Sequence, residues 1–296
     1  MTIDLNAIKE AALASDLDEF YWEVGDVNGP IVSGIKGSLG SYDTPEIIAS
    51  ASKMLYAAYA LEMGHTSKTD LSFCNMTSGY VSGKTINGPR LKVNECFDDV
   101  VTPSQVGKFY YSGGHMQKHA TAYAGLGNLT ARSLGKEVSR VLGVQISYSQ
   151  ALLAGGAVTS PQAYREFLLK ILRNELVISK YLGVDAVCTL PKVCPTASVS
   201  PVDMPWGYSW GHWVEEDGTF SSLGAFGFYP WIDKTKTYYG LVVPKNRELI
   251  AKTSQKAGEA IRNALLDSVT PCPVVDPAPT PISWLRKLFS FWPFNR

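Results

Sequence analysis

Ser50 and Lys53 stand three positions apart at the front of the run IIASASKMLYAAYALEMG, residues 47–64. A serine attacks a carbonyl readily only when a base within hydrogen-bond reach takes its proton, and on a helix an i, i+3 pair shares one face. Lysine can be that base once it is buried, because desolvation disfavours the ammonium and brings the amine toward neutrality. Ile47, Ile48, Met54, Leu55 and Tyr56 supply apolar surroundings. A helix starting near the serine also aims backbone N–H groups at the reacting centre, where negative charge develops. The bland alternative is a structural helix with a lysine near its end. Ser-x-x-Lys recurs at Ser33/Lys36 and Ser133/Lys136. Ser33 falls in a strand-like segment, where residues three apart point to opposite faces, and Ser133 falls on a polar helix read as broken by Gly135. The Ser50 copy alone joins a helix start to an apolar body.

The elements that must hold this pair follow from periodicity. DLNAIKEAALAS has helical spacing, and EFYWEVGDVNGPIVSGIKGS reads as two strands joined by a turn at Asn28 and Gly29. From about residue 66 to 200, helices such as GNLTARSLGKEVSRVLG and SPQAYREFLLKILRNELVISKYLG alternate with long loops. After Pro205 come the aromatic, glycine-punctuated strands WGYSWGHWVEEDGTF, SSLGAFGFYPWID and KTYYGLVVP, then the amphipathic helix NRELIAKTSQKAGEAIRNALLDSV. Strands at both ends with helices between predict an α+β unit over residues 1–270. Its antiparallel sheet would be flanked by terminal helices, with a mainly helical subdomain (about 66–200) inserted. Residues 271–296 read as a stiff Pro-rich linker and an aromatic, basic tail, ISWLRKLFSFWPFNR. Through residues 282–296 this tail would contact a membrane surface or a neighbouring subunit, or fold back onto the body.

Composition excludes several partners. The 27 basic residues balance 27 acidic ones and form no cationic stripe, so no nucleic-acid footprint exists. No run reaches the roughly 18 apolar residues of a membrane span. The acidic start MTIDLNAIKEAALASDLDEF does not read as a signal peptide, which leaves a cytosolic chain or one whose leader has been removed. Cys74 and Cys96, and Cys188 and Cys194, have spacings that could each close a disulfide, with Cys272 left over; that pulls toward a secreted or periplasmic setting. Asn75 and Asn128 head glycosylation tripeptides. His115 and His119 are spaced i, i+4 but lack the HExxH glutamate and an evident third ligand, so no metal is expected there. SGKT at residues 82–85 lacks the upstream glycine of a phosphate loop, and no Gly-x-Ser-x-Gly elbow occurs.

Further landmarks follow Ser50 in order: LSFCNMTSGY at residues 71–80, Tyr111-Ser112-Gly113 in a glycine-rich turn, LLAGGAVTSPQAYREFLLKIL, and SSLGAFG at residues 221–227. Together they cover most of residues 15–266, and the chain resembles the penicillin-recognising serine hydrolases. That family contains class C β-lactamases, D-alanyl-D-alanine peptidases of the penicillin-binding protein type, and β-lactamase-like esterases. The resemblance implies the β-lactamase-like fold and an acyl-enzyme formed without metal or organic cofactor. Ser50 matches the nucleophile, Lys53 its lysine, and Tyr111 the tyrosine that shares the base role or protonates the leaving group. Ser112, Gly113, Ser222 and Gly224 match substrate-contacting positions, and the N–H groups of Ser50 and Ala225 match the oxyanion hole. Gly113 stands where asparagine or serine is usual, and Ser222 where the family carries lysine or histidine. Without that cation, recognition of a substrate carboxylate is weakened, so an ester or small amide is expected rather than a β-lactam or D-Ala-D-Ala peptide. An acyltransferase with the same acyl-enzyme, or a non-catalytic binding relative, would share these residues. The surrounding aromatics, including Tyr208, Trp210 and Trp213, would line the cleft or fill the core.

Overall fold

The computed structural model of the chain describes residues 3–38, 43–82, 91–245 and 250–269. The expected linker and tail, Cys272, and Gly83 to Thr85 of the SGKT segment lie outside the described residues.

Helix α1 (Leu5–Leu13) starts where Asp4 accepts hydrogen bonds from the N–H groups of Asn6 and Ala7, and it buries Ile8 and Ala12 one turn apart. The hairpin β1 (Phe20–Asp26) and β2 (Gly29–Lys36) follows. Next come β3 (Glu46–Ile47), a 3₁₀ turn (Ala49–Ala51) and α2 (Ser52–Glu62). The central region holds α3 (Lys68–Cys74), β4 (Phe109–Tyr110), α4 (Gly114–Ala122), α5 (Ala131–Leu142), β5 (Ser147–Tyr148), β6 (Ala157–Thr159) and α6 (Pro161–Leu172). It continues into β7 (Val187–Cys188) and β8 (Ala197–Val199). The chain then returns to strands β9 (Gly207–Ser209), β10 (His212–Val214), β11 (Phe220–Ser221), β12 (Tyr229–Ile232) and β13 (Tyr238–Pro244), before α7 (Ala251–Val269).

The two ends of the chain meet in one sheet. Its eight strands run in the order β2-β1-β13-β12-β11-β10-β9-β7, and β1 pairs antiparallel with β13 from Phe20↔Pro244 to Asp26↔Tyr238. Alternation sends neighbouring residues of β13 to opposite faces. Val242 and its cross-strand partner Tyr229 pack against Gly258 of α7, which also lies along α1. On the other face, Tyr239 and Tyr21 donate to the buried carboxylate of Glu23 at 2.7 and 2.5 Å, and Arg165 of α6 reaches it at 3.2 Å. A second buried charge network fixes α7 to the sheet: Arg262 donates to Glu215 at 2.8 Å and to the Tyr229 hydroxyl at 2.9 Å. Burying such charges is tolerable because each is hydrogen-bonded to a partner. The mixture of helices and antiparallel strands is the α+β, β-lactamase-like architecture expected from the sequence.

Several local expectations are corrected. The SPQAYREFLLKILRNELVISKYLG run is not one helix: α6 ends at Leu172, Asn174 adopts φ 57, and a separate 3₁₀ turn spans Val177–Lys180. Gly135 does not break α5; a Cβ there would sit 3.0 Å from Ser147 Cα, so the glycine lets β5 pack closely. Cys188 and Cys194 form a disulfide, whereas Cys74 and Cys96 are free buried thiols. Cys74 is sealed at the end of α3 and Cys96 donates to the Lys92 carbonyl at 3.2 Å. Asn75 cannot receive a glycan in the folded chain, being 1 % exposed and bonded to Asp185 O and Trp210 N. Asn128 is exposed. Trp206, Tyr208, Trp210 and Trp213 are buried and serve the core. Among the described residues, no helix is long and apolar enough to cross a membrane.

Candidate active site

Ser50 lies in the 3₁₀ turn, one step before α2 rather than on the α-helix itself. The turn is pinned from two sides. Ile48 N donates to Ala157 O of β6 at 3.1 Å, while the Ser52 hydroxyl donates to Ala49 O at 2.6 Å and accepts from Ala157 N at 3.1 Å. Ala49 is held at φ 45, a left-handed conformation costly for a residue with a Cβ. Ser50 is thereby presented at a sharp corner and stays partly exposed.

Lys53, on the first turn of α2, is only 4 % exposed. Its Nζ donates to Ser50 Oγ at 2.8 Å and to the Ala154 carbonyl at 2.8 Å, and it sits 4.5 Å from the centroid of the Tyr111 ring. Burial disfavours its ammonium form and lowers its pKa to about 7. A large share of the amine is therefore neutral at physiological pH and able to accept a proton. The Tyr111 phenol shares a hydrogen bond with the Ser50 side chain, and burial pushes its pKa up to about 12. Tyr111 is held by its backbone, whose N–H donates to Val199 O of β8 at 3.0 Å, and by its ring, which stacks on Trp213 at 5.2 Å.

Two residues that the sequence reading did not place in the site hold these groups. Gln117 of α4 donates to Val93 O and Ala151 O and accepts from Leu153 N, which fixes the loop that presents the Ala154 carbonyl to Lys53. His115 Nε2 donates to the carbonyl of Tyr110, next to Tyr111, at 2.9 Å, so its Nδ1 accepts from Ser78 at 2.7 Å. Their signal in the sequence is weak: polar residues on the front of a helix whose face turns out to be buried. His115 and His119 do not converge on each other, since His119 turns to Tyr56 and Asp70.

His115 is fully buried and burial lowers its pKa to about 4, against about 6.5 for a free imidazole. Between pH 6.5 and 4 the unfolded chain then binds more protons than the folded one, so stability falls as pH falls through that window. His115→Gln is expected to flatten this part of the stability–pH curve. At pH 7.5 it should cost about 1–3 kcal/mol for the bonds left imperfect, and urea unfolding at a series of pH values measures both effects.

The remaining expected site residues lie around the Ser50 turn, some exposed and some buried. Gly113 caps α4, and a Cβ there would lie 3.4 Å from Ala154 Cβ. Ser112 directs its hydroxyl to Val81 O at 2.7 Å. The SSLGAFG segment is a hairpin tip rather than a strand interior, closed by Ser222 N to Pro230 O and Gly224 N to Phe228 O. Ser222 is 2 % exposed, and its hydroxyl lies 3.4 Å from Ala51 O, beneath the Ser50 turn. Ala225, partly exposed, borders a groove of about 430 Å³ shared with Val202, Met204, Leu223 and Gln255. Gly224 is required by contact: a Cβ there would stand 2.4 Å from the carbonyl oxygen of Ile48. Gly224→Ala is expected to push the tip off the turn, costing about 1–3 kcal/mol as overpacking, which urea unfolding measures.

No family model matches the chain, and no curated protein matches it. Its structural likenesses are extensive. A β-lactamase candidate from Bacteroides dorei superposes with TM-score 0.62 at 19 % identity, covering 90 % of this chain and 100 % of its own. EstCE1, a hydrolase with promiscuous acyltransferase activity, gives TM-score 0.63 at 12 % identity, covering 88 % of this chain and 96 % of its own. The chain has the fold of the penicillin-recognising serine hydrolases. Simvastatin synthase of Aspergillus terreus shares this fold too, with TM-score 0.61 at 12 % identity, covering 88 % of this chain and 96 % of its own. In this fold, the helix behind Ser50, the loop before α4 and the β11–β12 tip come from segments far apart in sequence and close around one turn.

Proposed function

We propose that the chain is a serine hydrolase that cleaves an ester or small amide through an acyl-enzyme. The observation that carries this reading is the 2.8 Å contact between Ser50 Oγ and a buried Lys53 whose pKa is brought to about 7. Neutral Lys53 takes the Ser50 proton as Oγ bonds to the substrate carbonyl carbon. The oxyanion is held by the N–H groups of Ser50 and Ala225; the tight packing of Gly224 against the Ile48 carbonyl supports this reading. Lys53 then returns the proton, directly or through Tyr111, to the departing alcohol or amine. Water attacks the ester of Ser50 and gives a proton to the same pair, which passes it to Ser50 Oγ as the bond to the acyl carbon breaks and the acid leaves. No step needs a metal or an organic cofactor. The groove beside Ala225 offers apolar Val202, Met204 and Leu223 alongside charged Asp203 and Lys252 to part of the substrate, and the absence of a cation at Ser222 favours an ester over a β-lactam.

The test is intact-mass analysis after exposure to p-nitrophenyl esters, penicillin and a fluorophosphonate, followed by peptide mapping. An adduct on the peptide containing Ser50 supports the reading; no adduct with any reagent would favour a non-catalytic binding relative. A second reading, acyl transfer, is favoured by the acyltransferase activity named for EstCE1. Adding an alcohol or amine acceptor distinguishes the two: rising ester or amide product at constant acyl-enzyme formation indicates transfer. The Cys188–Cys194 disulfide supports a secreted or periplasmic setting, and contact of residues 282–296 with a membrane surface or subunit belongs to the same proposal.

A further inference from the structure

One turn beyond Lys53 on α2, Tyr56 reaches α4, its hydroxyl 2.6 Å from His119 Nδ1. His119 is 0 % exposed, and its Nε2 lies 2.9 Å from Asp70 Oδ1. The same carboxylate oxygen is 3.6 Å from Nδ1 of His65, in the turn that leaves α2. One ligand atom from each of His65, Asp70 and His119 lies within 4.8 Å of the others. Asp70 is oriented from behind: its Oδ2 accepts from the backbone N–H and hydroxyl of Ser67 at 2.8 and 2.6 Å, the capping box that starts α3. Oδ1 is thereby left toward the two imidazoles.

We propose that His65 Nδ1, Asp70 Oδ1 and His119 Nε2 form a binding site for a divalent transition-metal ion, zinc foremost, with water completing the coordination. Two imidazoles and a carboxylate suit zinc, whose ligand bonds of about 2.0–2.1 Å in a tetrahedron put ligand atoms about 3.3 Å apart. The separations of 2.9 and 3.6 Å from Asp70 bracket that value. The third edge, between His65 and His119, lies within 4.8 Å, and the His65 side chain, 22 % exposed, is the one that would close it on binding. A metal on Nε2 puts the His119 ring proton on Nδ1, where the Tyr56 oxygen accepts it. Such an outer hydrogen bond fixes ring orientation at metal-binding histidines. Phe73 and Tyr123 flank the His119 ring at 5.5 and 5.6 Å between centroids and hold its plane, while the partly exposed His65 leaves the site open to water. The sequence did not reveal this trio because its members come from a turn and two helices. The ion would tie α2, which carries Lys53, to α4, which follows Tyr111, without touching the reacting atoms.

Calorimetric titration of chelator-treated full-length protein with zinc sulfate tests the site, with Ser50→Ala, His65→Ala and Tyr56→Phe alongside. One zinc per chain is expected in the wild type and in Ser50→Ala, so the result does not depend on acyl chemistry. Affinity should fall at least about 100-fold in His65→Ala, whose partly exposed side chain can be removed without unfolding the chain, and about 10-fold in Tyr56→Phe. A zinc-induced rise in melting temperature should be present in the wild type and lost in His65→Ala. No zinc uptake by the wild type, or equal affinity in His65→Ala, overturns the proposal.

Discussion

Ser50→Ala is expected to abolish the fluorophosphonate adduct and to reduce ester turnover by about 10⁴- to 10⁶-fold, the scale of losing a catalytic nucleophile. The substitution removes one oxygen from a partly exposed position and leaves the backbone bonds of the turn untouched, so folding is unaffected. Lys53 keeps its bond to the Ala154 carbonyl at 2.8 Å. A fall in turnover with an unchanged circular dichroism spectrum would therefore report chemistry rather than collapse. Retention of turnover within tenfold of wild type would place the nucleophile elsewhere.

Lys53→Met should affect activity and stability in opposite directions. Removing the base is expected to lower ester turnover by about 10²- to 10⁴-fold, and the wild-type rate should rise with pH through about 7 as the amine loses its proton. Stability follows from the same shift. The folded pKa of about 7 lies below the 10.5 of an unburied lysine. Between these values the unfolded state holds more protons, so stability rises with pH from 7 to 10.5, and the full penalty is present below 7. At 1.36 kcal/mol per pH unit that penalty is on the order of 5 kcal/mol. Methionine fills a similar volume without a charge to desolvate, so Lys53→Met is expected to melt several degrees higher than wild type at pH 6, with the gain shrinking toward pH 10. Thermal unfolding at both pH values measures it, and an unchanged or lower melting temperature at pH 6 would show that the amine carries no such penalty.

The legible parts of the fold were those written in local patterns. Strand-forming residues around a turn signal at Asn28 and Gly29 identify β1 and β2, and the i, i+4 spacing of buried Ala257, Ile261 and Leu265 identifies α7. Short-range conflicts were misread. Asn174 ends α6 because of a left-handed backbone rather than a proline or glycine, and Gly135 continues its helix because the packing of β5 needs the missing side chain. The spacing of Cys74 and Cys96 resembled a disulfide, but spacing does not encode whether two sulfur atoms face each other.

By itself the sequence determined that a serine and a lysine stand three residues apart at the mouth of an apolar helix, and that strands at the two ends of the chain could share a sheet. Only the tertiary structure decided how dry Lys53 is, because its surroundings come from the Ala154 loop, Tyr111 and the Gly211 turn, whose missing Cβ would otherwise lie 2.5 Å from the Lys53 carbonyl. The gathering of His65, Asp70 and His119 has the same origin. Proton affinity and ligand geometry depend on distances in space of a few ångströms, and the chain fixes those only when segments remote in sequence pack together.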